Sequence, residues 1–471
     1  MFANCSALNY VECLATDINY TDAVNWWLVG VAETGTFVKA GSMTDWPSGD
    51  SGIPDGWTVE NVDAATITAN KYLTFTSEGT TTIRLHNFNN TPLLYYSYDA
   101  ENWTQWDYSN LTFTSESPLY MCGDNPDGFS SSRLSSSMFF DSGDLYGISG
   151  DIMSLLDKEN DMSVIPQQYC FYQLFNNCWM MKSAPDLPAT TLTDFCYQEM
   201  FSKCLNLISA PALPATELEP YCYQDMFREC ESLVSASDLP ATALAEFCCI
   251  DMFYGCTSLA TAPALPATTL ARSCYYDMFK GCTSLTAAPD LPATAIEDFC
   301  YYGMFSGCTS LETAPETLPA LTMKESCYQS MFSDCASLTT APALPSTALA
   351  SACYMSMFDG CTSLASAPAL PATTLANYCY SGMFDGCSSL TKAPSLPAET
   401  LCDYCYSAMF MNCSSLNYVE CLATDINYTD AVNWWMVGVA DTGTFVKAAS
   451  MTDWPSGDSG IPDGWTVVDA E

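Results

Sequence analysis

The chain has 471 residues, 49% of them apolar, so it can bury a large core and is neither disordered nor the size of one ordinary core unless it is repetitive. Its 54 acidic residues against 13 basic ones leave a net charge of −41, which repels nucleic acid and anionic membrane surfaces. No run of about 18 apolar residues is present, so no transmembrane segment is expected, and a single histidine, His86, excludes most histidine-based catalysis.

The chain opens "MFANCSALNYVECLATDINYTDAV", and the same stretch returns as "MFMNCSSLNYVECLATDINYTDAV" from Met409. Over the 59 aligned positions, to Val59 and Val467, only five differ: Ala3/Met411, Ala7/Ser415, Leu28/Met436, Glu33/Asp441 and Gly41/Ala449. Met1 therefore sits inside a motif, and the native start, with any export signal, is expected to lie outside this sequence.

Residues 62–148 do not repeat. Short β-branched and aromatic runs ("YLTFTS", "TTTIRLHNF", "LLYYSY", "LTFTSES", "SSMFFD") separated by turn residues predict an antiparallel β-sandwich. His86 falls in one of these runs and reads as a surface residue of a strand or turn. Tyr95, Tyr98, Trp103 and Trp106 cluster with Tyr96 and Tyr108 around a hairpin-like turn at 99–102. Exposed aromatics beside carboxylates suit a glycan, so these four are the ligand candidates; packing inside the sandwich is the alternative.

From Cys170 the cysteines are periodic. Cys170, Cys196, Cys222, Cys248, Cys274 and Cys300 are 26 residues apart, Cys327 follows after 27, and Cys353, Cys379 and Cys405 after 26 each. A second cysteine follows each by eight, Cys178 to Cys413, which makes ten units. A fixed period in this range predicts a solenoid whose coils bury their apolar faces on one another. In "SCYYDMFKGC" the residues Cys274, Tyr275, Met278, Phe279 and Cys282 have steps of three and four, which predicts one helical face, with Gly281 as its end. Asp277 and Lys280 are then expected on the outer face. Pro263 restricts the other half of the unit, around Leu259 and Leu265, to a short strand and a turn.

The pattern C-x-x-L-x-x-A-P-x-L-P-x-x-x-L-x-x-x-C-Y-x-x-M-F-x-x-C resembles the BspA-like leucine-rich repeats of bacterial surface proteins, over roughly residues 150–420 and again at 1–14. The family's usual unit is slightly shorter and has Ala-Phe where this one has Met-Phe. The resemblance implies a leucine-rich-repeat solenoid and a place on a cell surface; the family includes adhesins and binding proteins, so it implies no single ligand.

The 26 cysteines raise the question of disulfides. Two cysteines eight apart on a helix lie about 12 Å apart, beyond the roughly 7 Å a bridge spans. Buried free thiols in two ladders are expected, with cross-coil disulfides and metal binding as alternatives. "LCDYC", Cys402 to Cys405, is an isolated CxxC in which Cys405 is already a ladder residue. No EF-hand spacing supports a dedicated calcium site, and no cofactor or metal is expected.

Residues 414–471 read as the C-terminal cap that a solenoid's last coil requires. Thr429 to Gly443 is expected to be a helix carrying Trp434 and Trp435, followed by a strand in "GTFVKAAS" and a last short strand at 465–468. The Trp pair reads as core, with a sugar platform as the alternative.

The expected organisation is an α/β leucine-rich-repeat solenoid of ten ~26-residue coils with an all-β sandwich and α+β caps. Residues 1–61 are the end of a preceding array and its cap, 62–148 a sandwich spacer, 149–413 the solenoid and 414–471 its cap. The expected function is an extracellular, non-enzymatic structural or adhesive surface protein, its modules running head-to-tail as a rod or fibre. The alternatives are a module binding glycan or host protein, and a phage-borne fibre on a virion. Nothing pairs Glu12 or Glu420 with a second catalytic carboxylate.

Overall fold

The structure, a computed structural model, describes residues 10–13, 28–40, 52–62, 71–87, 92–133, 137–159 and 162–470. The first half-coil, residues 1–9, lies outside the described residues.

Three parallel strands come first: β1 (Tyr10–Cys13), β2 (Thr36–Ala40) and β3 (Thr58–Val62), in the order β1-β2-β3. Then come β4 (Leu73–Ser77), β5 (Thr80–Asn87), β6 (Leu94–Ser97), β7 (Thr104–Gln105), β8 (Leu111–Thr114), β9 (Leu119–Gly123), β10 (Ser137–Gly143) and β11 (Tyr146–Ser149). They form a three-stranded sheet, β10-β5-β8, and five strands of a six-stranded one, in the order β11-β4-β9-β6-β7 with its sixth strand beside β11. Alternation of buried and exposed residues, as in β8 with Leu111 and Phe113 inward, fits strands buried on one face. Phe75 of β4 meets Phe113 of β8 and Phe139 of β10, with ring centroids 5.8 and 5.7 Å apart, so the two sheets share a buried interior. The backbone of His86 lies in β5 opposite Met138.

β12 (Met181–Ser183) joins this sheet to the solenoid. It pairs in parallel with β11, which pairs antiparallel with β4. A turn of 3-10 helix, Ile152–Leu155, is capped by Asp151, whose carboxylate accepts from the Met153 N–H at 2.8 Å.

The coils that follow contain no α-helix, which corrects the expected α/β solenoid with a helical half-unit. The segment 168–178 and its counterparts are chains of turns. Within each, every second N–H closes a turn to the carbonyl three residues back, as from Leu174 to Phe171 (3.2 Å). The N–H groups between cross to the next coil, as from Phe171 to Cys196 O (2.9 Å) and from Phe175 to Met200 O (2.9 Å). Every fourth residue, for example Phe195, Glu199 and Lys203, has φ near +60°, the third-residue conformation of a type II turn. A helix would place all its bonds inside one coil; this path gives half of them to the neighbouring coil. Gly281 is therefore not a helix end but one of these positive-φ positions, at +74°.

The predicted inward residues do point inward: Cys274, Tyr275, Met278, Phe279 and Cys282 are all buried. A period of four between turns and a helical period of 3.6 place nearly the same residues on one face over so short a segment. Asp277 corrects the expectation of an outer charged residue, being only 7% exposed. In the Pro-rich half, the predicted strand is reduced in the middle coils to single bridges such as Ala287–Thr313, because prolines cannot donate to a ladder.

β13 (Lys392–Leu396), β14 (Tyr418–Cys421), β15 (Thr444–Lys447) and β16 (Thr466–Asp469) close the array as a parallel sheet in that order. The expected cap helix from Thr429 is absent: the segment repeats the turn path, with φ of +47° at Asp430, +53° at Trp434 and +77° at Gly438. One buried cluster runs from Leu73 to Trp465, while Val11, Leu28, Phe37, Ile53 and Trp57 form a second.

Candidate functional site

The four aromatic candidates separate in the structure. Trp106 is 2% exposed; its indole N–H donates to Ser109 O at 2.8 Å and its ring stacks on Phe139, so it belongs to the core. Tyr98 is 41% exposed and its hydroxyl donates to Thr112 O at 3.0 Å. Tyr95 and Trp103 come together with Tyr72, Cys122, Lys158 and Glu159 around a cleft of about 280 Å³.

Trp103 stands at the end of a turn that Asp99 fastens. The Asp99 carboxylate accepts the N–H groups of Asn102 (2.8 Å) and Glu101 (2.9 Å), the Asn102 side-chain amide (2.7 Å) and the Ser97 hydroxyl (2.8 Å). Those bonds, the ones from Asn102 foremost, hold its pKa well below the usual carboxylate range. The Trp103 ring meets Tyr72 edge-on at 4.7 Å. Lys71 reaches over the Tyr72 ring at 5.4 Å and pairs with Glu159 at 3.8 Å. The Cys122 thiol, buried behind them, is pushed up to about 12 and stays protonated. The result is an aromatic corner with an ammonium and a carboxylate beside it, a composition that can stack on an apolar ring face and hydrogen-bond hydroxyls at its edge. Tyr72 carried a signal, as an aromatic at the head of a strand. Lys158 and Glu159 carried none, since only the tertiary fold brings them to Trp103.

The cysteine ladders lie in the core. All twenty ladder thiols, Cys170 to Cys413, are free and buried. In the second ladder each S–H donates to a phenylalanine carbonyl of the coil before: Cys204 to Phe175 O, Cys230 to Phe201 O and Cys256 to Phe227 O, each at 3.1 Å. Beside them, rings from Phe139 to Phe410 stack in one column, with centroids 5.4 to 5.8 Å apart. The column begins outside the repeats: Phe139 belongs to β10, and Cys178 donates to its carbonyl at 2.9 Å. β10 thus takes the place of a preceding coil and covers the first one.

Where both duplicated endings are described, they share their strand pairing. Tyr10–Cys13 pairs with residues 36–39 as Tyr418–Cys421 pairs with Thr444–Lys447, and both last strands continue in the same register. Trp57 donates its indole N–H to Ala32 O at 2.9 Å, and Trp465 donates to Ala440 O at 2.8 Å. They differ on one edge. β14 is covered by β13, with the Lys392 ammonium 4.5 Å over the Tyr418 ring. β1 has no partner strand on that side among the described residues, and Tyr10 is 53% exposed.

No family model matches the chain, and no curated protein matches it. Among solved structures, a leucine-rich repeat protein from Bacteroides ovatus ATCC 8483 is similar at 18% identity and a TM-score of 0.38, over 68% of this chain and 74% of that one. That likeness is distant, and the assignment to a solenoid rests on the repeat and on the stacked coils themselves. No helix among the described residues is long and apolar enough to cross a membrane.

Proposed function

We propose that the chain is a repeat-based surface module, extracellular and structural or adhesive, that continues head-to-tail with arrays like its own into a rod. The observation that carries this reading is the strand pairing seen in both endings, with β14 covered by β13 and no strand beside β1 on the equivalent edge among the described residues. An uncovered parallel edge with apolar side chains is unfavourable, at roughly 25 cal/mol per Å² of apolar surface left in water. In this reading the chain divides as the sequence suggests: a preceding array's cap to residue 61, a spacer to 148, the solenoid to 413 and its cap. No catalytic role is proposed. The test is electron microscopy of a chain in which residues 162–408 are repeated ahead of Met1. Ala408 joined to Met1 restores the repeat in register. Straight rods of two arrays separated by one spacer support the reading; two particles on a flexible joint refute it.

A second reading, a glycan-binding module, is favoured by the corner of Tyr72, Tyr95 and Trp103. In it, Trp103→Ala abolishes binding on a glycan array, while Tyr98→Ala does not.

A further inference from the structure

The two tryptophans of the cap part company. Trp435 is buried, its indole N–H donating to Gly460 O at 2.8 Å. Trp434 is 57% exposed, and among the described residues no ring contact involves it. Its backbone sits at φ +53°, a conformation unfavourable for a large side chain. The six coils before it hold Asp277, Gly303, Ser330, Ser356, Gly382 and Ala408 at this position, all small or short, with φ between +49° and +62°. Gln173, Glu199, Asp225 and Asp251 hold it in the first coils, so this column carries an aromatic only at its last turn, although aromatics such as Phe195 and Tyr404 take the same positive φ elsewhere in the coils. Packing does not account for it, since the ring covers nothing in the core.

Beside it lies a cleft of about 600 Å³ between the cap's turn segment and residues 450–459. Asn433, the neighbour of Trp434, lines it, and Trp434 donates its backbone N–H to Ser459 Oγ, another lining group, at 3.4 Å. Ser459 Oγ is itself bonded to Asn433 Oδ1 at 3.0 Å. Asn427, Asp430 and Asp453 add amide and carboxylate groups, and Tyr428, 41% exposed, adds a second ring. A protein partner's contact patch would be apolar at its centre. This cleft is lined mainly by polar residues, and the exposed indole belongs to the residue next to its wall.

We infer that the cap binds carbohydrate, the indole of Trp434 stacking on the apolar face of a pyranose whose hydroxyl groups bond to Asn433, Asp430 and Ser459. The sequence places Trp26 at the matching position of the first copy, so one chain carries this residue twice.

The experiment uses the full chain in a Trp103→Ala background, which removes the spacer's corner, and a probe panel of the methyl α- and β-D-pyranosides of glucose, galactose, mannose and N-acetylglucosamine. Saturation-transfer NMR and calorimetry read binding. At least one pyranoside is expected to bind, and W26G/W434G is expected to weaken it by at least roughly tenfold. At Trp434 glycine relieves the positive φ, so this variant is expected to melt no lower than its parent. Should it melt lower, W26S/W434S, with the serine found at Ser330 and Ser356, reads the same loss in a folded chain. Trp179→Ala, at another exposed indole, leaves binding unchanged. Absence of binding by any pyranoside of the panel, or undiminished binding by the glycine and serine variants, overturns the inference.

Discussion

Cys282 donates its S–H to the carbonyl of Phe253, 3.1 Å away in the preceding coil. The bond recurs along the whole second ladder and explains why cysteine returns at this position. The site must be small, tolerate burial and satisfy a carbonyl of the neighbouring coil, and a thiol does all three. Burial drives these thiols up, Cys230 and Cys308 to about 12, so they are poor nucleophiles. Native-state labelling with a thiol reagent should therefore modify the half-buried Cys13 and Cys402 first. The ladder cysteines should react only on unfolding. Rapid labelling of Cys256 or Cys282 in the folded protein would contradict this.

Phe279 stacks between Phe253 at 5.5 Å and Phe305 at 5.6 Å. Phe279→Ala should cost roughly 3–5 kcal/mol by denaturant unfolding, with hydrogen exchange rising first in the adjacent coils, because each coil touches only its neighbours. Lys324→Ala, which removes an exposed pair with Glu297 at 3.2 Å, should stay within about 0.5 kcal/mol. Lys280→Ala should cost more than Lys324→Ala, because Lys280 pairs at 3.0 Å with the buried Asp277.

The turn path makes a further demand. Gly303 has φ +57°, and a Cβ there would lie 1.9 Å from Asp277 Oδ1. Gly303→Ala should lower the melting temperature. Lys203→Gly, at φ +62°, should raise it by relieving a strain of roughly 1 kcal/mol. Were the segment an α-helix, the signs would be reversed, since glycine weakens a helix interior.

The period of 26, the inward residues and the solenoid were legible because each is a statement about spacing. The path between the inward residues was not. Steps of three and four fit both a helix and a run of four-residue turns, and what separates them is which carbonyl each N–H reaches. The recurring glycines Gly255, Gly281 and Gly307, at φ +70°, +74° and +73°, were the available signal, and reading Gly281 as a helix end missed it. Of the four aromatic candidates, alternation alone could not tell Trp103, which lines the cleft, from Trp106, which fills the core.

Asp359 has its pKa raised to about 6, first by burial and then by Asp385 and Asp334. A carboxyl whose native pKa exceeds its unfolded value binds its proton more tightly when folded, so stability falls as pH rises between about 4 and about 6. Asp359→Asn should raise the melting temperature near neutral pH, leave it little changed below about pH 4, and flatten the dependence between. An equal shift at both pH values would contradict this origin.

The central claim is that β1 is built to be covered as β14 is. Both strands read Tyr-Val-Glu-Cys, so their amides differ in surroundings and not in intrinsic exchange. In the 471-residue chain, hydrogen exchange should be faster at Tyr10–Cys13 than at Tyr418–Cys421. When residues 162–408 are repeated ahead of Met1, protection at Tyr10–Cys13 should rise to match Tyr418–Cys421, with both arrays folded. Unchanged fast exchange at Tyr10–Cys13 in that longer chain would contradict the account.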